Sequence, residues 1–196
     1  TMPGALQVLW LAAQGGYHME YGYSCMGYEV AGAMGIALAE PSKEVICFVG
    51  DGSYMMANSE LATAVMRKVP FTIVLTDNRG YGCINRLQMG TGGAEFNNLL
   101  DHSHHVTPSN IDFAAHAASM GAAAVHVSSI AELEEALSRA KVAKGPFVVV
   151  IDTDPYPSTP DGGHWWDVAV PEVSERAEVR AKRAEYEKQI KARALN

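Results

Sequence analysis

Val45-Ile-Cys-Phe-Val-Gly-Asp-Gly52 runs through five apolar residues and stops on Gly-Asp-Gly. A continuous apolar run of that length suits a strand buried on both faces, as strands inside parallel sheets are. Asn58 and Ser59 can then cap a helix with Glu60 in its first turn and Leu61, Ala64 and Val65 at helical spacing. Phe71 to Thr76 is a second apolar run of strand length. Strand, helix and strand make a βαβ unit, whose right-handed crossover brings both carboxyl ends to one edge of the sheet. Doubly wound folds bind their ligands along that edge.

Working outward, Gln7 to Ala12 reads as a short strand and Gly15, Gly16 and Gly22 as a loop. A helix over Tyr28 to Ala39 follows, ended by Pro41. Beyond the βαβ unit come a glycine-rich stretch from Gly80 to Gly93, a polar loop with three histidines, and a helix over Asp112 to Met120. Ser129 and Glu132 form a capping box ahead of Leu133, Leu137 and Ala140, with Gly145-Pro146 ending that helix before a strand over Phe147 to Ile151. The tail from Ser174 to Arg193 is charged, with Glu178/Lys182 and Glu187/Lys191 at helical i,i+4 spacing, and reads as a solvated helix. The alternation predicts an α/β class: three layers, αβα, with a mainly parallel doubly wound sheet and helices on both faces. Residues 1–170 are expected to form one domain and residues 171–196 a charged C-terminal helix.

A net charge of −7 gives no general attraction to nucleic acid or anionic membranes, so neither is expected as a partner. Cys25, Cys47 and Cys83 are odd in number and contain no C-x-x-C pair, which suits a reducing, cytoplasmic setting. No stretch approaches eighteen consecutive apolar residues. The start at Thr1 suits a fragment of a longer protein.

Asp51 and Asn78 fall on the shared edge. Gly50 and Gly52 are expected to let the chain turn sharply and to free the amides of Gly52 and Ser53 for phosphate oxygens, and Gly80 and Gly82 to do the same after Asn78. A carboxylate, an amide oxygen and the Gly80 carbonyl are hard donors of the kind Mg²⁺ takes. Taken singly, Gly-Asp-Gly and Asp77-Asn78 are also ordinary turn compositions. Asp101-His-Ser-His-His105 matches no common zinc spacing and reads as a polar loop. Cys83 has no identifiable base beside it and reads as a small filler rather than a nucleophile. His18 and Glu20 face either substrate or solvent, and Trp165 and Trp166 form a lid, an interchain contact or core.

Gly50-Asp-Gly52, twenty-four residues, then Asp77-Asn-Arg-Gly80 resembles the signature of thiamine-diphosphate enzymes, with Asp77 where that family has its first Asn. The resemblance implies thiamine diphosphate and Mg²⁺ as cofactors, with Asp51, Asn78 and the Gly80 carbonyl on the metal. It implies backbone contacts to the diphosphate from Gly50 to Ser53 and from Tyr81, Gly82 and Cys83. Tyr23-Ser-Cys-Met-Gly-Tyr28 resembles the segment that holds the aminopyrimidine, with Ser24 and Cys25 alongside it and Met26 as the apolar wedge. The glutamate that serves N1′ belongs to a pyrimidine-binding domain, so no catalytic residue is expected within this chain. A homodimer or homotetramer and an upstream pyrimidine-binding domain are implied partners, and the isolated chain is expected to be inactive.

The strings Gly16 to Glu29, Gly82-Cys-Ile-Asn-Arg-Leu-Gln88 and Trp165-Trp-Asp167 are similar to a branch of that family that hydrolytically opens a small-molecule cyclic 1,2-diketone in myo-inositol catabolism. The alternatives are an acetolactate-synthase-like carboligase or 2-keto acid decarboxylase, and a non-catalytic nucleotide or Mg²⁺ module. The last is disfavoured by the lack of G-x-x-x-x-G-K-[ST] and of G-x-G-x-x-G after the first strand.

Overall fold

The computed structural model describes residues 6, 8–20, 22–159 and 167–193. Among them, strands β1 (Ile46–Gly50), β2 (Thr72–Asp77), β3 (Ala123–Val127) and β4 (Phe147–Asp152) form one sheet in the order β1-β2-β4-β3. Every neighbouring pair is parallel. The helices are α1 (Tyr28–Ala39), α2 (Asp51–Met56), α3 (Glu60–Arg67), α4 (Gly82–Gly90), α5 (Phe113–Ser119), α6 (Ile130–Ala140) and α7 (Ala177–Arg193), with a 3₁₀ turn at Leu100–His102.

Side chains alternate across β4, and its two faces join two cores. Val148 and Val150 pack with Ile73 and Leu75 of β2 and with α1, α3 and α5, through Val30, Leu61, Ala64 and Ala117. Phe147 and Val149 pack with Ala136 and Ala140 of α6 on the other face. Helices therefore cover both faces of the sheet. The sheet order explains the split. The chain moves in one direction from β1 to β2 and on to β3, then reverses from β3 into β4, so crossovers of a single hand put α6 opposite the others. Each fully buried aliphatic side chain in these layers contributes roughly 1.5–3 kcal/mol.

Several local expectations are corrected. Leu6, Val8 and Leu9 are helical, not a strand, and Trp10 N donates to Leu6 O at 2.8 Å. Short apolar runs do not distinguish the two states, and this one is largely exposed, with Leu11 at 99%. β3 was not foreseen: Ala-Ala-Val-His-Val is an edge strand of weak β propensity and mixed burial. Ser59 makes no side-chain cap to α3. Ser129 does cap α6, accepting from Glu132 N at 3.2 Å, while the Glu132 carboxylate reaches back to Ser128 N instead of Ser129 N. That helix ends at Ala140, well before Gly145-Pro146.

The charged tail is docked, not free. Val179 of α7 and Val170 before it are buried. Gly92, at φ +86, lies so close to α7 that a Cβ would sit 2.6 Å from Glu178 O. Arg176 Nε donates to Gly92 O at 2.9 Å. The ion pairs on α7 also differ from those expected: Lys182 meets Glu185 at 2.9 Å and Arg183 meets Glu187 at 3.0 Å.

Candidate cofactor-binding site

Gly50 pairs with Thr76 in the β1/β2 register, so Asp51, which opens α2, lies beside Asp77, the last residue of β2, with Asn78 one step beyond. Asp51 and Asn78 are both buried, at 6% and 4% exposure. Asp51 Oδ2 accepts the Gly80 amide at 2.7 Å and Oδ1 accepts the Asn78 amide at 3.3 Å. Burial first, and then the charge of Asp77, push the Asp51 carboxyl up to about 6, against the hydrogen bonds from Asn78, Gly80 and Gly52 that pull it down.

The Asn78 carboxamide turns its oxygen toward two other oxygens, 2.8 Å from Gly80 O and 3.2 Å from Asp51 Oδ1; turned over, its nitrogen would donate to both. Without a cation the nitrogen-inward orientation satisfies both oxygens; with a cation bound, the oxygen-inward orientation adds a third oxygen donor beside them. Metal–oxygen bonds of about 2.1 Å in an octahedron put neighbouring oxygens about 3.0 Å apart, so the spacing fits a Mg²⁺ donor set.

The glycines divide by role. Gly80 has φ +146, and a Cβ there would run into Asn98 O and lie 2.9 Å from Leu99 Cα, because Gly80 and Leu99 form an antiparallel bridge. On Gly82 a Cβ would lie 2.9 Å from Asn78 Nδ2, and on Gly52 it would strike the Tyr81 ring at 2.5 Å. Gly50, by contrast, is in ordinary extended backbone, at φ −80 and ψ 156, and a Cβ there would meet nothing within 4 Å. The sharp turn expected of Gly50 is therefore absent. Asp51 opens α2 directly, which puts the amides of Gly52 and Ser53 in a first helical turn.

Asp77 in place of the family's Asn has a plain account. Its Oδ1 accepts the Arg79 amide at 2.8 Å, a task that an Asn oxygen performs equally well. Arg79 follows in left-handed backbone at φ 59.

Ser24, Cys25 and Met26 form an exposed turn, with Ser24 at φ 52 and Gly27 at φ 91. Met26 is 39% exposed and belongs to neither buried core. The fold ties this turn to the Asp51 edge, since Gly27 N donates to Ser53 Oγ at 2.8 Å. Glu20 accepts the amides of Cys25 at 2.8 Å and Tyr23 at 3.2 Å, and these bonds, that of Cys25 foremost, lower its pKa. Its charge in turn raises the Cys25 thiol. His18 Nε2 lies 2.6 Å from Tyr28 Oη. Cys83 is half-buried in the first turn of α4.

His102, in the polar loop, pairs with Glu95 at 3.0 Å, and His105 lies 3.0 Å from Leu100 O. Among the described residues no group of three His, Cys, Asp or Glu side chains is placed to hold a metal. A cavity of about 710 Å³ adjoins Asn78 and is lined by Asp77, Asp152, His102 and Tyr156 among others. Sequence reasoning gave no role to Glu29, whose carboxylate meets Ser53; its only signal was a charged residue following the aminopyrimidine-like segment. Trp165 and Trp166 lie outside the described residues.

A buried acid, a carboxamide and a glycine carbonyl converge at the carboxyl edge of a parallel sheet, the edge along which folds of this class bind their ligands. Residues 2–151 match the family described as thiamine pyrophosphate enzyme, C-terminal TPP binding domain, and the chain belongs to that family. Among its relatives are the 3D-(3,5/4)-trihydroxycyclohexane-1,2-dione hydrolases of Bacillus cereus and Bacillus anthracis, 47% identical over 190 residues, which is 92% of this chain and 29% of theirs. The chain thus spans about 29% of the length of the curated relatives it matches. A solved structure, the thiamine diphosphate-dependent 4-hydroxybenzoylformate decarboxylase of Rhodococcus jostii RHA1, superposes with TM-score 0.60 at 25% identity, covering 68% of this chain and 24% of that one. Among the described residues no helix is long and apolar enough to cross a membrane.

Proposed function

We propose that this chain is the diphosphate- and Mg²⁺-binding part of a thiamine-diphosphate-dependent hydrolase that cleaves a carbon–carbon bond of trihydroxycyclohexane-1,2-dione. The observation that carries the metal assignment is the convergence of the Asp51 carboxylate, the Asn78 carboxamide and the Gly80 carbonyl, with the carboxamide 2.8 Å from Gly80 O and 3.2 Å from Asp51 Oδ1. The choice of reaction is supported by 47% identity to relatives named for that hydrolysis, against 25% to the decarboxylase.

Each residue has a task in this reading. Asp51, Asn78 and the Gly80 carbonyl hold the cation, and the first-turn amides of Gly52 and Ser53, with those of Gly82 and Cys83 at the head of α4, receive the diphosphate oxygens. The Tyr81 amide, expected among them, is already given to Asn98 O at 2.7 Å. Gly50 leaves room for that group at the sheet edge. Ser24, Cys25 and Met26 meet the aminopyrimidine, with exposed Met26 free to pack between rings. Bound there, thiamine diphosphate supplies a nucleophilic carbon and an electron sink for breaking the bond next to a carbonyl. The residue that serves N1′ comes from a pyrimidine-binding domain outside this chain, and the enzyme works as a homodimer or homotetramer in the cytoplasm. The isolated chain is inactive.

The test is calorimetric titration of the full-length enzyme with Mg²⁺ and thiamine diphosphate, followed by turnover of the cyclic dione and of pyruvate. Asp51→Ala should weaken metal-dependent cofactor binding by about 100-fold or more, as loss of a metal-site group does. Unchanged affinity removes the metal assignment, and turnover of pyruvate but not the dione removes the hydrolase assignment.

A further inference from the structure

Glu29 stands in the first turn of α1, and its carboxylate points back at α2. Buried Ser53 Oγ donates to it, 2.8 Å from Oε1 and 2.7 Å from Oε2. The same hydroxyl accepts the Gly27 amide at 2.8 Å, and that amide also lies 3.1 Å from Glu29 Oε2. A serine hydroxyl has one proton. Here it is committed to Glu29, so Ser53 can offer a phosphate its backbone amide but not its hydroxyl.

A glutamate in a first turn is often explained by the helix dipole and by a bond to the N-cap amide. That explanation accounts for Gly27 but not for Ser53, which belongs to another helix and follows Asp51 by two residues. Nor does it account for the backbone. Gly27 is at φ 91, and a Cβ there would sit 2.8 Å from Ala57 Cβ, so the turn is pressed against the end of α2 in a form that other residues adopt at a cost. The turn has little packing of its own, since Tyr23, Cys25 and Met26 are exposed. Polar bonds at its two ends hold it: Glu20 on Tyr23 and Cys25, and the Glu29–Ser53 pair on Gly27.

We propose that Glu29 is a positioning residue that, through Ser53, locks the Ser24–Gly27 turn to the Asp51 helix, so that both ends of one bound cofactor meet a single rigid frame. This rests on the reading that Asp51 and the 24–26 turn serve the same thiamine diphosphate. A carboxylate suits the role because it accepts the Ser53 proton and the Gly27 amide together. Glutamine keeps one acceptor oxygen and alanine none.

The experiment uses the full-length enzyme with Mg²⁺ and thiamine diphosphate, comparing wild type with Glu29→Ala, Glu29→Gln, Ser53→Ala and the Glu29→Ala/Ser53→Ala double variant. Calorimetry reads cofactor affinity, and quenched-flow NMR reads hydrogen–deuterium exchange at C2 of the bound cofactor, which depends on how its two rings are held. Glu29→Ala and Ser53→Ala should slow exchange by about 10- to 100-fold, the scale of a small misplacement in a preorganised site. Affinity should fall by less than exchange does, Glu29→Gln should be intermediate, and the double variant no slower than either single one. Wild-type exchange in Glu29→Ala, multiplied losses in the double variant, or affinity falling in step with exchange would each overturn the proposal. If Glu29→Ala does not fold, Ser53→Ala, which removes one hydroxyl, decides it. Failure of the wild-type enzyme to bind thiamine diphosphate overturns the functional reading and the proposal together; normal wild-type binding with indifferent variants overturns only the proposal.

Discussion

The metal edge and the Ser24–Gly27 turn are built on opposite plans. Asp51, Asn78 and Gly80 are locked by backbone amides, by the β1/β2 register and by a bridge to Leu99, all within the chain. The turn is exposed, uses two left-handed residues, and is tied down by hydrogen bonds at its ends. An octahedral cation tolerates little error in its donors, so its site has to be complete before the ligand arrives. A turn that offers an apolar side chain to an aromatic ring can take its final packing from whatever closes over it. The difference teaches that, on the proposed function, the metal edge is preformed within this chain while the turn takes its final packing from what closes over it.

The largest expected effect comes from breaking the metal edge. Gly80→Ala forces a side chain into Asn98 O and Leu99 at φ +146. It should destabilise the protein by about 3 kcal/mol or more, through strain at a special backbone position added to a steric clash. Urea denaturation checks this. A loss under 1 kcal/mol would mean that the Leu99 bridge gives way easily and that the metal edge is less rigid than described.

The next effect sharpens the comparison through pH. Because burial and Asp77 raise Asp51 to about 6, protons compete with a cation below that value, and Mg²⁺-dependent cofactor binding should weaken by about tenfold per pH unit there. The metal-free protein should respond with the opposite sign. Its folded-state pKa lies above the ordinary 3.8, so the folded state holds the extra proton, and stability present at pH 4 is lost as pH rises through about 6. Added Mg²⁺ should restore it. Asp77→Asn keeps an acceptor for the Arg79 amide while removing the charge, and should move the binding midpoint to lower pH, by less than about one unit. Thermal melts with and without Mg²⁺ across pH 4–8 read both signs. Nothing comparable should occur at the exposed turn.

The two regions also differ in how far the sequence reveals them. The meeting of Asp51 and Asn78 was legible because apolar runs of strand length place them on one edge. The parallel three-layer class was legible for the same reason. α2 was hidden because it is only six residues long and carries Gly52, a residue of low helix propensity, and only the packing of Tyr81 against Gly52 shows why a glycine stands there. β3 was hidden because Ala-Ala-Val-His-Val takes its strand state from pairing with β4. The Glu29–Ser53 contact could not be read at all, since its partners are 24 residues apart and meet only through tertiary structure. The register of Glu178 and Lys182 misled because docking on Gly92 sets which face of α7 is free.

The smallest effect on the fold should come from the turn itself, and it is the one that best separates the two plans. Met26 is 39% exposed and touches no buried core, so Met26→Ala removes only part of a side chain's buried area and should change stability by about 1 kcal/mol or less. If the turn is completed from outside, the same variant in the full-length enzyme should still impair cofactor function, because the missing packing is made only in the assembled pocket. Chemical denaturation of this chain and C2 exchange of the bound cofactor in the full-length enzyme measure the two quantities independently. A large stability loss in the chain would mean that Met26 packs within it, and the turn would then be preformed as the metal edge is. Unchanged exchange in the enzyme would mean that Met26 touches no ring, leaving Ser24 and Cys25 as the only side of the turn that meets the cofactor.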